Sequence, residues 1–431
     1  MATVRKIKTG TTTPKRDKTT ASRPKKRALI FSMTYQPFVG GAEVAVREIT
    51  DRVSKDEIEF HMITLRFDSA LPEVEQIGNV LVHRIGFARP HPSPEGLKQF
   101  PLHLNKLYYQ VAAALRASLL HRKYHYDATW AIMAHSAGVP AALFKMSHPQ
   151  VPYLLTLQEG DPVEHIKRVM LPLYPLFVRA FKRADQLQAI STHLASWGTA
   201  MGFHGKPVVI PNGVDINRFS KEYPRRELEE LKQKLDKKVN SIFLVTTSRL
   251  VEKNGIDTVI HALVKLPPQV SFLVLGEGPE EERLKALARN LGVMSRVRFL
   301  GHVPQKEIPK YLKVSEIFIR PSRSEGMGNS FIEAMASGTP VIATQVGGIT
   351  DFIFDPDRNP DVKPTGLAVD VDDSAAVAEQ VLRYSSDVLL RREITDNAHA
   401  LVEARYDWKL IVRAMHEKVF TPLFSKTTAR K

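Results

Sequence analysis

Short apolar runs alternate along this chain with stretches whose apolar residues have helical spacing. Residues 28–33 form an apolar run with the length of a buried strand, and a loop follows it as far as Gly41. Further apolar runs of strand length are residues 60–65, 80–85, 128–133 and 153–157. The residues that recur at helical spacing are Ala42, Val46, Ile49 and Val53, and later Leu104, Tyr108, Val111, Leu115 and Leu119. Strands that alternate with helices predict βαβ units and a parallel sheet.

A second alternating series begins after Asn212 and Gly213, a dipeptide typical of turns. Its strand candidates are residues 242–247, 270–275, 297–300, 317–319 and 341–344. The pattern predicts an α/β protein with two doubly wound domains. Their predicted bounds are residues 28–213 and 214–403, followed by an amphipathic helix over 404–422 and a polar tail over 423–431.

The positive charge of the chain is concentrated at its N-terminus. The formal net charge is +15, and residues 1–27 hold ten Lys or Arg against the single acid Asp17, so the tail carries +9 and the rest of the chain +6. Because this segment has hardly any large apolar side chains, we predict that residues 1–27 are a disordered basic tail. Contact with anionic lipid or RNA and a merely solvated start of the chain both stay open for it.

Composition excludes several classes of site. The sequence has no cysteine, which excludes disulfides, thiol nucleophiles and iron–sulfur clusters and is compatible with the cytoplasmic location that we expect. Its apolar runs are far shorter than the about 20 residues that cross a bilayer. A secretory signal is not predicted either, since no apolar stretch follows the basic residues before residue 28.

The strongest candidate for chemistry is the segment 320–344. A predicted strand ends at residue 320, a loop with Gly326 and Gly328 follows, and a short helix is predicted over 330–337. The glycines permit close approach of a ligand, and the amides of Asn329, Ser330 and Phe331 at the start of the helix suit a diphosphate. Glu325 and Glu333 stand eight residues apart, although Ser330 and Glu333 also have the spacing of a capping box, a purely structural alternative.

This arrangement resembles the signature of the retaining GT-B glycosyltransferases, in particular glycosyltransferase family 4, the group 1 glycosyltransferases. The resemblance implies two Rossmann-like domains that face each other across a cleft, with the C-terminal helix packed back on the first domain. The first domain would bind the acceptor and the second the nucleotide sugar. It also implies that Glu325 lies near the sugar hydroxyls and that Glu333 binds the ribose hydroxyls.

Further motifs match the same family. Gly41, in the segment 40–43, corresponds to the glycine that approaches the diphosphate, and Glu43 beside it either contacts the sugar or acceptor or only favours the helix dipole. Residues 211–215 resemble the interdomain turn, for which we predict a hinge role. In the segment 248–255, Arg249 and Lys253 resemble the pair that stabilises the leaving diphosphate. Asn254 occupies the place where the family usually has its lysine, so either Lys253 reaches the site or Asn254 does weaker work there.

The candidate acceptor side departs from the family pattern as well. Gln158 aligns with a position where many relatives have a histidine that contacts the donor sugar. His135 follows the preceding predicted strand and is a candidate for lining the cleft, with an ordinary structural role as the alternative. Asp161 either orients the acceptor hydroxyl or caps the turn before Pro162. The pair Asp370 and Asp372 looks like a metal motif, but loop and cap roles fit its position better.

The sequence therefore predicts an enzyme that moves a sugar from a nucleotide diphosphate sugar to an acceptor hydroxyl, on a glycan, a lipid-linked saccharide or a small molecule. By resemblance the configuration is retained and no metal or other cofactor is needed. Residues 165–183 carry five Lys or Arg and no acid, which is compatible with peripheral contact with an anionic membrane, unless their apolar residues belong to the core. The alternatives are a sugar-nucleotide epimerase of the same fold and a non-catalytic nucleotide-sugar-binding protein. Binding to a specific nucleic acid is not expected.

Overall fold

The computed structural model describes residues 25–38, 40–92, 97 and 99–428. The first sheet has eight strands in the order β3-β4-β2-β1-β5-β6-β7-β8, all parallel to their neighbours except the edge strand β3. Its strands are β1 Lys26–Phe31, β2 Ile58–Leu65, β3 Val74–Ile77, β4 Val80–Ile85, β5 Ala128–Ile132, β6 Tyr153–Leu157, β7 Gln186–Ala189 and β8 Val208–Val209.

The second sheet is parallel throughout and has six strands in the order β11-β10-β9-β12-β13-β14. Its strands are β9 Ile242–Thr247, β10 Val270–Leu275, β11 Val297–Phe299, β12 Ile317–Arg320, β13 Val341–Thr344 and β14 Leu367–Val369. The predicted domain boundary near residue 213 lies between the last strand of the first sheet and the first strand of the second.

Helices cover both faces of each sheet. Those of the first part are α1 Gly41–Arg52, α2 Asn105–Tyr124, α3 Val139–Ser147, α4 Val163–Met170, α5 Tyr174–Lys182, α6 Thr192–Ala200 and α7 Ile216–Phe219. Those of the second part are α8 Arg225–Lys234, α9 Ile256–Leu263, α10 Glu281–Asn290, α11 Ile308–Lys313, α12 Asn329–Ala336, α13 Ser374–Ser386, α14 Val388–Arg405, α15 Trp408–Met415 and α16 Thr421–Thr428. In parallel sheets built this way, ligands bind at the carboxyl ends of the strands.

The chain crosses from one domain to the other twice, and the two crossing segments are in contact. The N–H group of Val214 donates to the carbonyl oxygen of Tyr406 at 2.7 Å. A β-carbon on Gly213 would lie 2.7 Å from the ring of Trp408, so only glycine permits the turn to pack against this ring. The C-terminal helices then lie on the first sheet, where the ring of Phe420 packs 5.4 Å from that of Trp130, measured between centroids.

The structure corrects both ends of the predicted domain map. Strand β1 already begins at Lys26, so two residues of the predicted disordered tail belong to the sheet, while residues 1–24 lie outside the described residues. At the other end, helix α16 continues beyond the predicted bound at residue 422. Leu423 and Phe424 are buried in the core of the first domain, and the segment predicted as a polar tail therefore contributes apolar packing.

Two buried histidines lie side by side between the first sheet and the end of α2. His61 is fully buried and bonds through its ring nitrogens to Tyr126 at 2.7 Å and to Glu59 at 3.0 Å. His83 is also buried, and neither of its ring nitrogens has a hydrogen-bond partner among the described residues. Burial lowers the pKa of His83 to about 4, and the positive charges of neighbouring groups add to this effect.

We expect this histidine pair to make the protein sensitive to acid. An unfolded histidine takes up its proton near pH 6.5, whereas native His83 stays neutral until about pH 4. Between these pH values the unfolded chain binds more protons, so the free energy of unfolding falls as the pH drops through this window. Replacing His83 by phenylalanine should flatten the decline of Tm between pH 6.5 and pH 4.5, whereas changing the exposed His204 to glutamine should not. Equal slopes in all three proteins would contradict this assignment.

Candidate active site

The loops at the carboxyl ends of both sheets meet in one cleft. From the first sheet come the loop before α1 and the loop of residues 158–162 after β6, and from the second come the loops that follow β9 and β12. A β-carbon on Gly326 would lie only 2.1 Å from the carbonyl oxygen of Glu159, so the backbones of the two domains touch here. Backbone atoms of the two domains therefore meet at the centre of the cleft, and charged side chains surround this contact.

Arg320, the last residue of β12, holds in place the loop that follows this strand and contains Gly326 and Gly328, here called the glycine loop. It is buried, and its guanidinium group donates to Glu325 Oε1 and to Ser330 Oγ, each at 2.7 Å. The same group lies 4.4 Å above the ring of Phe331. These contacts hold the carboxylate of Glu325 at the cleft end of the loop. Arg320 was not predicted as a site residue, although a basic residue at the end of an apolar strand is a signal visible in the sequence.

The start of helix α12 presents fewer amides than predicted. Its N-cap is Gly328, whose φ of +89° is a conformation that favours glycine. The N–H group of Phe331 donates to the carbonyl oxygen of Gly328 at 3.1 Å, so the prediction of a free amide at Phe331 was wrong. The N–H groups of Asn329 and Ser330 have no acceptor among the described residues and remain as donors for a ligand.

The capping-box alternative for Glu333 is also wrong. Because Gly328 is the N-cap, Ser330 is the second residue of the helix, and its hydroxyl group accepts a hydrogen bond from Arg320 instead of from the helix backbone. The half-buried carboxylate of Glu333 accepts from the side chain of Gln305 at 3.4 Å. Burial raises the pKa of Glu333, and the bond from Gln305 and nearby arginine charges offset that rise only in part.

The loop before α1 brings Gly41 close to the start of α12 in the other domain, whereas its acid Glu43 bonds within its own loop. A β-carbon on Gly41 would lie 3.4 Å from the side-chain nitrogen of Asn329 in the other domain. Glu43, by contrast, is buried, and its carboxylate accepts from the N–H group of Gly40 at 2.8 Å and from the hydroxyl group of Thr34 at 2.5 Å. The prediction that Glu43 contacts sugar or acceptor is therefore corrected, since both of its oxygens stabilise its own loop.

In the basic loop after β9, Lys253 and Asn254 point in different directions. Asn254 is buried, and its amide group donates to Ser248 Oγ at 3.0 Å and to the carbonyl oxygen of Arg249 at 2.7 Å. Lys253 extends into the cleft, where its ammonium group lies 3.2 Å from Asp161. The side chain of Arg249 is exposed at the same loop.

On the first-domain side, Asp161 faces this lysine. Burial alone would raise the pKa of Asp161, but the charge and hydrogen bond of Lys253 outweigh it and lower the pKa. The charges of His135 and Arg249 act in the same direction. Asp161 does not cap the helix that follows, because the N-cap of α4 is Pro162 without a side-chain bond. The structure thus brings Asp161, predicted as a possible acceptor contact, to the basic loop.

Three amide side chains bridge the two domains beside this pair. The side-chain nitrogen of Asn212 donates to Gln158 at 3.3 Å and to Asn329 at 3.2 Å. Glu159, next to Gln158, is buried and accepts from the N–H groups of Ala134 at 2.5 Å and of Gln158 at 2.9 Å. Asn212 was predicted only as part of the interdomain turn and Glu159 was not predicted, since their partners in the other loops lie far away along the chain.

His135 lies at the edge of the cleft in a π-helical turn, Ala134–Gly138. Its Nδ1 atom is 3.5 Å from Glu159. The side chain is 28% exposed, which leaves part of the ring accessible from the cleft. Gln158, His135 and Asp161 therefore stand on one wall, opposite the loops of the second domain.

The aspartates that resemble a metal motif do not converge. Asp370 pairs with Arg358 at 3.0 Å and Asp372 with Arg323 at 2.6 Å. The N-cap of α13 is the next residue, Asp373. Within the described part of the chain, no group of three His, Asp or Glu side chains is placed to hold a metal ion.

Comparison with known proteins identifies relatives for both domains. The family model described as Glycosyltransferase Family 4 matches residues 39–218, and the model described as Glycosyl transferases group 1 matches residues 227–401. The chain is 28% identical over 313 residues to a Bacillus subtilis protein assigned to teichuronic acid biosynthesis as the glycosyltransferase TuaC. The matched region covers 72% of this chain and 75% of that protein. The chain is also 25% identical over 398 residues to the N-acetyl-alpha-D-glucosaminyl L-malate synthase of Bacillus anthracis, covering 91% and 96% of the two chains.

A solved structure shows the same fold. HepE of Anabaena, determined in complex with UDP and glucose, matches with a TM-score of 0.71 and 22% identity over 91% of this chain and 98% of that one. The two facing α/β domains predicted from the sequence are thereby confirmed as a GT-B fold.

Proposed function

The chain belongs to glycosyltransferase family 4, the group 1 glycosyltransferases, and on this premise we propose that it transfers a sugar from a nucleoside diphosphate sugar to a saccharide or lipid-linked hydroxyl group with retention of the anomeric configuration. One observation carries the proposal. A β-carbon on Gly160 would lie 2.8 Å from Lys253 Nζ and 3.9 Å from Glu325 Oε2. The ammonium group of Lys253 and the carboxylate of Glu325, both from the second domain, therefore lie next to Gly160 of the first domain, which has no side chain.

We assign the diphosphate of the donor to the positive side of this cleft. The N–H groups of Asn329 and Ser330 at the start of α12 are donors for phosphate oxygens, and Gly41 leaves room beside them. Arg249 and Lys253 would supply the positive charge that stabilises the leaving diphosphate. Since these two cations can neutralise it, we propose that transfer needs no metal ion.

The orientation of Lys253 supports it over Asn254 as the residue that acts on the diphosphate. The side-chain amide of Asn254 donates its hydrogen bonds within its own loop. The bond to the carbonyl oxygen of Arg249 also fixes the backbone of that residue. Asp161 holds the ammonium group of Lys253 at the cleft and is proposed as its positioning residue. Gln158 and His135 are proposed to contact the sugar or the acceptor from the same wall.

In the proposed reaction, the bond between the anomeric carbon and the phosphate oxygen breaks, and the acceptor oxygen bonds to that carbon on the same face of the sugar. The acceptor proton passes to the departing phosphate oxygen, so the nucleoside diphosphate leaves with it. Glu325 orients the sugar hydroxyls, and Glu333 binds the ribose hydroxyls. Closure of the domains about the turn at residues 211–215 would exclude water.

The test of this function is a product assay with a panel of nucleotide sugars and saccharide acceptors in the presence of a chelator. The proposal expects a glycoside whose anomeric configuration, read by NMR, equals that of the donor. An inverted product, or activity that needs an added divalent cation, would refute retention or metal independence respectively. Release of an epimerised sugar nucleotide without an acceptor would support the epimerase alternative, and binding without turnover would support a binding protein.

Replacing Glu333 by alanine should weaken nucleotide binding about ten- to a hundredfold, because a hydrogen bond to a charged group contributes about 1.5–3 kcal/mol. The measurement is the Tm shift produced by UDP, GDP, ADP and dTDP in the wild type and the variant. Replacing Glu393, an exposed acid on α14, provides the control and should leave the shift unchanged. An undiminished shift in the folded Glu333→Ala variant would remove this residue from the donor site.

A further inference from the structure

Helix α2 presents an apolar stripe to solvent. Leu107, Val111, Leu115 and Leu119 follow one another at intervals of four residues and are 62%, 56%, 64% and 56% exposed. Tyr108 widens the stripe near its beginning at 41% exposure. At a rise of about 1.5 Å per residue the stripe extends over about 18 Å. Contiguous exposed apolar surface of this kind marks an interaction site more often than scattered single residues do.

The opposite face of α2 explains why this stripe is not needed for the core. The residues that pack on the first sheet are mainly small, and they include Ala113 and Ala117 together with Tyr109 and Leu120, all buried. An apolar stripe at helical spacing ordinarily faces the protein interior. Here the sheet is already covered by the alanine-rich face, so the large aliphatic side chains are left without a partner among the described residues.

The charged residues of α2 itself are all positive. Between residues 99 and 126 the sequence contains no Asp or Glu. Lys106, Arg122 and Lys123 are exposed on the same helix, and Arg116 is half-buried beside the stripe. A second copy of the chain would bring the same cations against themselves across a symmetric contact. The observed charge instead complements a surface of anionic groups.

Further exposed apolar residues lie near the helices that pack beside α2. Helix α2 packs against α3, and α3 packs against α5, so these helices form one layer on the first sheet. In the segment before α5, Val169 and Leu171 are 56% and 70% exposed. Leu171 lines a shallow depression of about 380 Å³ with the other residues Glu164, Lys167, Arg168 and Tyr174.

The structure also corrects part of the membrane contact predicted for residues 165–183. Phe177 and Phe181 are fully buried and belong to the core, so these two aromatic residues are not available to a membrane, whereas Tyr174 stays partly exposed. No helix in the described ranges has both the length and the apolar character needed to span a bilayer. Any contact of this layer with lipid is thus confined to the membrane surface.

We propose that α2 lies in the surface of an anionic membrane, with its stripe of four aliphatic residues among the acyl chains and its lysines and arginines at the headgroups. An amphipathic helix with a basic polar face binds in this way through buried apolar area and attraction to anionic lipid together. Helix α4 packs against α5 and begins two residues after Asp161, so it connects this layer with the wall of the cleft. The docking itself does not depend on the proposed transfer reaction.

The test is co-sedimentation of the full chain with vesicles of phosphatidylcholine alone or mixed with phosphatidylglycerol. We expect binding to the mixed vesicles that weakens as salt rises, and a loss of roughly tenfold or more in the Leu107→Gln/Leu115→Gln variant. The matched control is Leu382→Gln/Leu389→Gln, which changes two leucines of the second domain that are 43% and 81% exposed and should bind as the wild type does.

Three outcomes would overturn the proposal. The first is that the wild type does not bind the mixed vesicles. The second is that the Leu107→Gln/Leu115→Gln variant binds them as well as the wild type, which would assign binding to the basic N-terminal segment. The third is that the wild type is a dimer that this variant converts to a monomer, which would assign the stripe to a contact with a second copy of the chain. Because both positions are exposed, an unchanged Tm is expected and serves as the check on folding.

Discussion

Lys253→Met is expected to lower kcat by about 10²–10³-fold, the loss that follows when one preorganised donor to a developing negative charge is removed. The ammonium group lies in the cleft at Gly160 and Asp161, where the leaving diphosphate is proposed to develop its charge. Methionine keeps much of the length and apolar volume of the side chain, so packing changes little. The measurement is steady-state turnover with saturating donor, together with nucleotide affinity from the Tm shift.

Two variants show whether the effect belongs to Lys253. Lys265→Met removes an exposed charge from the same domain and should retain wild-type kcat. Asn254→Ala breaks the bonds that fix the loop backbone, so we expect a lower Tm and only a moderate loss of kcat in the folded protein. If Asn254→Ala loses more activity than Lys253→Met, the amide and not the ammonium group acts on the diphosphate.

The second large effect concerns the ion pair of Arg320 and Glu325. Their side chains are 7% and 11% exposed and are joined at 2.7 Å. Arg320→Met leaves the carboxylate buried and unpaired, which should destabilise the protein by about 3–5 kcal/mol. For a domain of this size that corresponds to roughly 6–20 °C in Tm, measured by scanning calorimetry.

The double variant Arg320→Met/Glu325→Gln separates stability from activity. It leaves neither charge of this pair buried, so much of the lost Tm should return, whereas kcat should stay low because the carboxylate proposed to orient the sugar is gone. Recovery of both Tm and kcat would show that the pair is only structural. Arg358→Met, which breaks the more exposed pair with Asp370, is the matched control and should change Tm little.

The architecture could be predicted because the signals for it are local. Apolar runs located most strands of the two sheets, and the glycine loop with its following helix identified the family. Strand β7 was not predicted from the sequence, since two glutamines alternate there with Leu187 and Ala189. Gln186 and Gln188 are buried because their amides donate to the carbonyl oxygens of Lys418 and Ile210. Bonds between residues so far apart leave no local pattern.

The residues proposed for the site could be named from the sequence, but the contacts among them could not. Arg249, Lys253, Glu325, Asn329 and Glu333 were named from their motifs, and the structure places them in the loops that follow β9 and β12 and in helix α12. Their partners could not be predicted, because Arg320, Asn212 and Glu159 act through contacts between elements that are distant in sequence.

By itself, then, the sequence determined the two α/β domains and the family, because backbone conformation, periodicity and motif spacing are encoded over a few neighbouring residues. Only the tertiary structure decided that Lys253 reaches the cleft while Asn254 stays in its loop, that Gly328 and not Ser330 caps α12, and that the stripe of α2 faces outward. Each of these depends on which surface a side chain packs against. A helix with one aliphatic face and one alanine face has the same periodicity whichever face meets the sheet.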